Sequence, residues 1–378
     1  MTSGVRRSKS ELYEELKGRP HIRRYREGDY RPGAWFDADP GTEDWGTWGT
    51  RAKPGKRGLT LMDINAADGV PVPDVGPPVM VTRGGAWRSD APPRQWEVND
   101  KYLIWSDNVV SLYEEGASRQ WSATRDIPWE SLTPLPPELE RAYCQFMTHL
   151  ASVEYTANDS LAPWAARINT TFHEVKFFLY QQMVDEAWHS EVFRKRALAG
   201  GGGLGVSNAY IPGLPLSGQA NPFRQKLNDD FNALSYFIQF LSEGIFLDNF
   251  RFCEFLAQTD VDRIIFGRVM QDEARHVSYG VMRLKYYLEH APDRQAALDE
   301  MHAIADEAEI LKQSVDMVNP QILEPLAIMA GGGVDRMEQG MDVYRQVWTK
   351  VVEEYLRRCD VAGFPRRDRT YLFHEPPF

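Results

Sequence analysis

Two copies of one short motif constrain this 378-residue chain more than any other feature. The motif is Asp-Glu-x-x-His, at Asp185–His189 and at Asp272–His276, and each copy lies in a long apolar segment with a helical period. A glutamate and a histidine three residues apart project from the same face of a helix. Two such faces turned towards each other can hold metal between facing helices.

Two further glutamates are predicted to point into the protein core. Glu154 falls within an apolar stripe rather than opposite it, and Glu243 has the same relation to a later stripe. The stripes comprise Tyr143, Met147, Leu150, Ala157 and Leu161 around the first, and Tyr236, Phe240, Leu247 and Phe250 around the second. Burying an isolated ionised carboxylate is unfavourable, and a bound cation offsets that penalty. Both glutamates are therefore predicted metal ligands.

The spacing of the glutamates predicts how the helices are arranged. In chain order they are Glu154, Glu186, Glu243 and Glu273, separated by 32, 57 and 30 residues. The two short intervals suit antiparallel neighbours, because a helix of about 25 residues plus a short turn returns the chain to the same depth. The long interval allows a crossover, which the helix breakers in Gly200–Gly203 and Ile211–Pro215 mark.

Glu114 and Glu115 are the alternatives to Glu154 as the first carboxylate. They lie near the end of an earlier amphipathic segment. Glu115 directly precedes Gly116, at a predicted helix end. Glu154 is therefore the preferred candidate.

This combination of residues resembles the ferritin-like di-iron carboxylate superfamily, in particular its oxygenase and ribonucleotide-reductase-small-subunit-like branch. The resemblance covers about residues 100–290. It implies an all-α fold, a ferritin-like four-helix bundle with extra flanking helices. It implies six metal ligands, which are Glu154, Glu186, His189, Glu243, Glu273 and His276. It also implies that Asp185 and Asp272 each accept the remaining ring N–H of the histidine in the opposite motif.

The implied ligand set suits a pair of iron ions. Four carboxylates neutralise two iron(II) ions, and oxygen ligands with only two imidazoles favour iron or manganese over metals that prefer thiolates. The resemblance thus implies two Fe ions, or a mixed Mn/Fe pair, with O2 as co-substrate. A reductase or ferredoxin is the expected electron donor, because the sequence has neither a flavin motif nor a cysteine cluster. Members of the superfamily also lead us to expect a homodimer.

Two departures from subfamily patterns narrow the implied function. Phe193 occupies the position of the radical tyrosine of ribonucleotide reductase small subunits, four residues after the first motif's histidine. Val269 occupies the position of the additional histidine of p-aminobenzoate N-oxygenases, four residues before the second motif's glutamate. Without these two residues, the site consists of four glutamates and two histidines, and it resembles the sites of bacterial hydroxylases, epoxidases of aromatic substrates and acyl-carrier desaturases.

The expected function is that of an O2-dependent non-haem di-iron monooxygenase (hydroxylase, epoxidase or N-oxygenase) acting on a small organic substrate, aromatic or thioester-linked. A ribonucleotide-reductase-small-subunit-like metallocofactor protein and an acyl-carrier desaturase are the alternatives. The catalytic candidates are Glu243 and, one turn earlier, Gln239, either as a polar group near bound oxygen or as a core hydrogen-bonding residue. Residues available to line a pocket, with core packing as the alternative for the aromatics, are Tyr155, Tyr236, Phe240, Gly244 and Phe246.

Three regions of the chain differ in composition and in helical periodicity. Residues 1–100 are expected to form an irregular Trp/Pro/Gly-rich arm that wraps the bundle, 101–291 the bundle, and 292–378 buttressing helices with a tail. Trp121 and Trp129 are expected to fill the end of the bundle. Helical patterns run near 101–116, 135–166, 171–198, 223–257, 260–291, 295–319, 321–329 and 335–359.

Composition excludes several other classes of protein. A formal net charge of −11 argues against nucleic acid as a partner. Three cysteines, odd in number and widely separated, do not predict a disulfide framework, so a reducing cytoplasm is the expected location. No stretch approaches the ~20 apolar residues of a membrane span, so we expect no membrane association.

Overall fold

The architecture is all helical in the residues that the computed structural model describes, which are 8–28, 49–87, 92–206, 222–316 and 320–376. Within these ranges the only β-type pairings are isolated bridges. The expected all-α class is confirmed. No helix in the same ranges has the length and apolar character that crossing a bilayer requires.

In its described residues, 8–28, 49–87 and 92–100, the N-terminal arm contains three short α-helices. They are α1 (Lys9–Gly18), α2 (Pro20–Arg26) and α3 (Leu61–Asp68). The sequence shows no sustained helical period here, and local signals start the helices instead: capping boxes for α1 and α3, and a proline in the first turn for α2. Ser8 accepts from the backbone N–H of Glu11 and Thr60 from that of Asp63, with the acidic side chain bonding back in each case. Such capping boxes span four residues, so they leave no long period in the sequence.

Four long helical stretches form the bundle. Together with two short flanking helices, α4 and α7, the elements in chain order are α4 (Val109–Ser118), α5 (Pro137–Arg167), α6 (His173–Ala199), α7 (Pro222–Asp229), α8 (Phe231–Ser235), a π-helical turn (Tyr236–Ser242), α9 (Glu243–Leu256) and α10 (Asp260–His290). The four stretches are α5, α6, a composite of α8, the π-helical turn and α9, and α10. The helices α5 and α6 pack side by side, as do α9 and α10, and α6 packs on α10. With α8, the π turn and α9 as one composite helix, this is a ferritin-like four-helix bundle.

The helices α5 and α9 run in opposite directions. Near the start of α5 the Tyr143 hydroxyl donates to the Leu256 carbonyl at the end of α9, at 3.3 Å. Further along α5, Glu154 approaches the carboxylates that surround Glu243 at the start of α9. The two contacts occur in reversed order along the two helices, so the helices are antiparallel.

Two predicted helices are interrupted. The pattern near 101–116 begins with a 3₁₀ turn at Lys101–Leu103 and becomes α-helical only at α4. The pattern near 223–257 breaks at Asp230, whose carboxylate accepts from the N–H groups of Asn232 and Ala233 and so starts a new helix. These breaks are local events that hydrophobic periodicity does not report.

Three further helices follow the bundle. They are α11 (Arg294–Asp316), α12 (Pro320–Gly331) and α13 (Met337–Val361). The helix α12 packs against both α5 and α13, and α13 also contacts α9 and α10. Trp348 and Tyr355 of α13 are fully buried in this layer. The layer thus packs against α5 and α9, the helices that carry Glu154 and Glu243.

The later part of the arm lies against the connection between α5 and α6 and against the first turn of α6. The Arg83 guanidinium donates to the Glu174 carboxylate at 3.0 Å, and the Asn169 amide donates to the Pro77 carbonyl at 3.0 Å. Trp96 of this segment is buried, whereas Trp87 is about half exposed. The remaining arm tryptophans, at positions 35, 45 and 48, lie outside the described residues.

Candidate metal centre

Six acidic and imidazole side chains meet in the middle of the bundle, and all four of its helical stretches contribute. They are Glu154 of α5, Glu186 and His189 of α6, Glu243 of α9, and Glu273 and His276 of α10. None is more than 6% exposed. They lie on facing helix surfaces because each occupies the inward position of a 3.6-residue period.

The six side chains divide into two overlapping groups. One comprises Glu154, Glu186, His189 and Glu273, and the other comprises Glu186, Glu243 and His276. Within each group one ligand atom per residue lies within 4.8 Å of the others, and Glu186 belongs to both. Glu273 also reaches both groups, with one oxygen 3.4 Å from His189 Nδ1 and the other 3.6 Å from His276 Nδ1. The geometry therefore offers two adjacent ion positions with two carboxylates between them.

Five atoms of this cluster are buried without a hydrogen-bond partner in the described part of the chain. They are Glu186 Oε2, His189 Nδ1, Glu243 Oε2, Glu273 Oε2 and His276 Nδ1. Buried polar atoms are normally hydrogen-bonded, so a convergent set of unpaired acceptors calls for cations. Four carboxylates and two imidazoles are ligands suited to iron or manganese. The residues present therefore fit a pair of such ions.

Each histidine is held by the aspartate of the opposite motif. His189 Nε2 lies 3.2 Å from Asp272 Oδ2, and His276 Nε2 lies 3.3 Å from Asp185 Oδ2. An Nε2–H on each ring donates to that carboxylate, which leaves the lone pair of Nδ1 directed at the cluster. The two crossed pairs thus fix both the tautomer and the orientation of the two rings.

Trp121 and Arg275 in turn hold the two aspartates. The Trp121 indole N–H donates to Asp272 Oδ2 at 2.7 Å. Arg275 Nη2 donates to Asp185 Oδ2 at 3.0 Å and to Asp272 Oδ1 at 2.5 Å. Sequence reasoning missed both contacts. The contact of Arg275 could have been predicted from spacing, because Arg275 lies three residues after Asp272 on the same helix face.

Burial and crowding shift the pKa values in the cluster. Burial raises the pKa of Glu154 and Glu243 well above the usual carboxyl range, and repulsion from Glu186 adds to the shift. Burial alone would lower the pKa of His189 and His276, but their carboxylate neighbours outweigh it and raise both well above the usual value. Protons therefore compensate the concentrated negative charge, and metal cations compete with them for the same atoms.

Gln239, one of the catalytic candidates, lies beside the cluster rather than in it. Its amide Nε2 donates to Gln182 Oε1 at 2.8 Å, and Gln182 Nε2 donates to Glu243 Oε1 at 2.8 Å. Sequence reasoning missed Gln182. Its signal was position, since it lies one turn before Glu186 on the motif face.

Other residues singled out in the sequence lie elsewhere. Tyr155 is 52% exposed, so its side chain lies at the surface of α5 rather than in the core. The open side of Gly244 faces Arg358, because a Cβ there would lie 2.7 Å from Arg358 Nη2. Of the alternative first carboxylates, Glu114 accepts from a backbone N–H of α3 and Glu115 pairs with Arg119 at 2.8 Å. Neither joins the cluster.

The remaining pocket candidates are packed. Tyr236 is buried, stacks on Phe240 with ring centroids 5.1 Å apart, and hydrogen-bonds Tyr355. Phe246 stacks on Phe250 at 5.8 Å. Core packing therefore accounts for these aromatic rings.

Comparisons with known proteins identify similar solved structures only. No family model matches the sequence, and no curated protein does. One similar structure is a point variant of an R2-like ligand-binding oxidase with an aerobically reconstituted Mn/Fe cofactor. Its sequence is 17% identical to this one, the match covers 68% of this chain and 94% of that chain, and the TM-score is 0.47. A second variant of that oxidase is 18% identical, covering 68% and 95% of the two chains, with a TM-score of 0.45.

Proposed function

We propose that this protein is an O2-dependent oxidoreductase that holds two iron ions, or one manganese and one iron, between its bundle helices. The convergence of five buried, unpartnered ligand atoms on two adjacent positions supports this most directly. Four carboxylates balance the charge of two divalent ions, so binding removes the electrostatic penalty of burying them together.

Each side chain has a distinct part in this proposal. Glu154 and His189 serve one ion and Glu243 and His276 the other, as the two groups of the cluster suggest. Glu186 and Glu273 lie between the positions and serve both. The paired aspartates Asp272 and Asp185 keep the imidazole Nδ1 atoms directed at the ions.

The reaction is the oxygenation of a small organic substrate, aromatic or thioester-linked. When bound, a reduced iron pair supplies the electrons that begin the reduction of O2. Buried rings exclude water from the centre: Phe178 stacks on Tyr279 with centroids 4.6 Å apart, and Phe193 packs on Phe250 at 5.9 Å. Phe193 carries no hydroxyl, which favours substrate oxidation over storage of a stable tyrosyl radical at that position.

Monooxygenation requires an external electron donor. One oxygen atom enters the substrate and the other leaves as water, which consumes two electrons and two protons beyond those the substrate provides. The three cysteines are buried at separate places, so they do not form a redox cluster. A reductase or ferredoxin is accordingly the proposed partner.

Anaerobic loading with iron(II), followed by stopped-flow mixing with O2, tests this proposal. We expect about two irons per chain and a transient visible absorption after mixing, whose decay quickens with a true substrate. The substitution His276→Gln should reduce the bound iron. His290→Gln is the matched control, because His290 lies at the end of the same helix, away from the cluster. A parent protein that binds clearly fewer than two irons would refute the proposed centre.

A further inference from the structure

A chain of buried polar side chains leads from the composite helix to a ligand of the candidate metal centre. Ser235 Oγ donates to Gln239 Oε1 at 2.6 Å, and Gln239 Nε2 donates to Gln182 Oε1 at 2.8 Å. Gln182 Nε2 then donates to Glu243 Oε1 at 2.8 Å and lies 3.4 Å from Glu186 Oε1. Ser235, Gln239 and Gln182 are each 0% exposed.

Every hydrogen bond in this chain points the same way. Ser235 donates first, and each glutamine accepts through its oxygen and donates through its nitrogen to the next residue, so the last donor faces the carboxylates. The orientation of the Gln182 amide is thereby fixed, since its oxygen is bonded to the Gln239 amide. Reversing Gln182 would place its oxygen against Glu243 and its nitrogen against another N–H.

The two oxygens of Glu243 are consequently unequal. Oε1 accepts from Gln182, whereas Oε2 is buried without a hydrogen-bond partner and lies 3.8 Å from His276 Nδ1. The hydrogen bond from Gln182 therefore holds Glu243 by Oε1, and the unpartnered Oε2 is the oxygen most available to an ion.

The surrounding backbone is adapted to this arrangement. Gln239 lies in the π-helical turn, where the N–H of Glu243 bonds to the Ile238 carbonyl in the wider π pattern. On the facing helix α10, Gly280 allows close approach, because a Cβ there would lie 2.9 Å from the Gln239 carbonyl carbon. π turns inside α-helices are frequent at functional sites. General core packing does not require this combination of a π turn, a close glycine and a directed amide chain.

We propose that Gln182 is a positioning residue that holds Glu243 by Oε1, keeps Oε2 available, and so sets the affinity of the ion position formed by Glu186, Glu243 and His276. Gln239 and Ser235 act through Gln182 by fixing its amide orientation. The inference rests on the proposed function, because it concerns how this chain's own residues prepare one of the two ion positions.

Stepwise titration with cobalt(II) of the metal-free protein tests the proposal, because cobalt absorbance reports both occupancy and coordination. Gln182→Met keeps the length of the side chain but removes its donor. We expect one of the two ions to lose about tenfold in affinity or more, with an altered cobalt spectrum, while the other ion binds as in the parent. Gln239→Met, which touches no ligand, should act in the same direction with smaller effect.

Gln181→Met is the matched control. It is the adjacent amide on the same helix, but its side chain lies against Gly116 of α4 rather than against the cluster. It should alter neither dissociation constant. If Gln182→Met fails to fold, Gln239→Met still decides the matter.

The outcomes separate this inference from the proposed function. A parent protein that binds fewer than two cobalt ions contradicts the proposed centre itself. The positioning role alone is overturned if the parent binds two cobalt ions and the variants Gln182→Met and Gln239→Met leave both dissociation constants and the spectrum unchanged. It is also overturned if these variants weaken the binding of both ions equally.

Discussion

The indole N–H of Trp121 donates to the same oxygen of Asp272 that His189 approaches, at 2.7 Å and 3.2 Å respectively. Trp121 is 4% exposed and belongs to the segment between α4 and α5, outside the four bundle helices. A residue from a connecting segment therefore helps to orient a candidate metal ligand. Burial favours a raised pKa for Asp272, but its hydrogen bond with His189 and nearby positive charges hold that pKa at about 2.

Trp121→Phe should weaken metal binding at the position that His189 serves. The substitution keeps an aromatic ring but leaves Asp272 with one donor fewer, so the imidazole is less firmly oriented. A loss of about tenfold in affinity for the ion at that position is expected. Isothermal titration of the metal-free protein with manganese(II) measures it.

Trp129→Phe provides the control for that experiment. The Trp129 indole donates to the Ala123 carbonyl at 2.7 Å and does not touch the aspartates. Equal effects of the two substitutions would mean that Trp121 acts only by packing.

Metal affinity should rise with pH. His189 and His276 have raised pKa values because neighbouring carboxylates outweigh burial, and burial raises those of Glu154 and Glu243. Groups with raised pKa values retain protons to higher pH, and an incoming ion must displace these protons. Raising the pH removes the competitor, so manganese(II) should bind more tightly at about pH 8 than at about pH 6.

Proton release gives an independent measure of this competition. Titrations in buffers of different ionisation enthalpy count the protons released per ion bound. Binding that releases no protons, or that weakens as pH rises, would contradict the raised pKa values. His290→Gln should leave the pH dependence unchanged, since His290 lies outside the cluster.

The sequence predicts the meeting of the six ligand residues because each carries a local signal. The motif spacing places Glu186 beside His189, and the apolar stripe around Glu154 turns that residue inward. The contacts that support these residues depend on relations between elements. The path of the segment before α5 decides where Trp121 points, and a π turn decides where Gln239 points. Neither feature follows from hydrophobic periodicity.

Arg275→Met should strongly destabilise the metal-free protein. Arg275 is 3% exposed and donates to both Asp185 and Asp272, so its removal leaves two buried carboxylates without their shared cation. Breaking a buried ion pair by removing one partner costs about 3–5 kcal/mol. Urea unfolding of the metal-free protein should show a loss of that order in the free energy of unfolding.

Arg263→Met is the control for this substitution. Arg263 is on the same helix, its side chain is 52% exposed, and it pairs with Asp260 at 2.6 Å. Exposed pairs contribute about 0–1 kcal/mol, so little change is expected. A loss for Arg275→Met no greater than that for Arg263→Met would show that other groups satisfy the two aspartates.

Gly280→Ala tests whether the π turn presses on α10. The added Cβ would lie 2.9 to 3.0 Å from the backbone and Cβ of Gln239, so helix or turn must shift. Overpacking of this kind costs about 1–3 kcal/mol. Gly267→Ala, on the same helix, meets only a Glu254 carboxylate oxygen at 3.1 Å, at the flexible end of a side chain. Because alanine has a higher helix propensity than glycine, Gly267→Ala should stabilise the protein by up to about 1 kcal/mol. In urea unfolding, the free energy of unfolding should therefore fall for Gly280→Ala and rise for Gly267→Ala. Equal free energies for the two variants would mean that the π turn moves to accommodate the added Cβ at no cost.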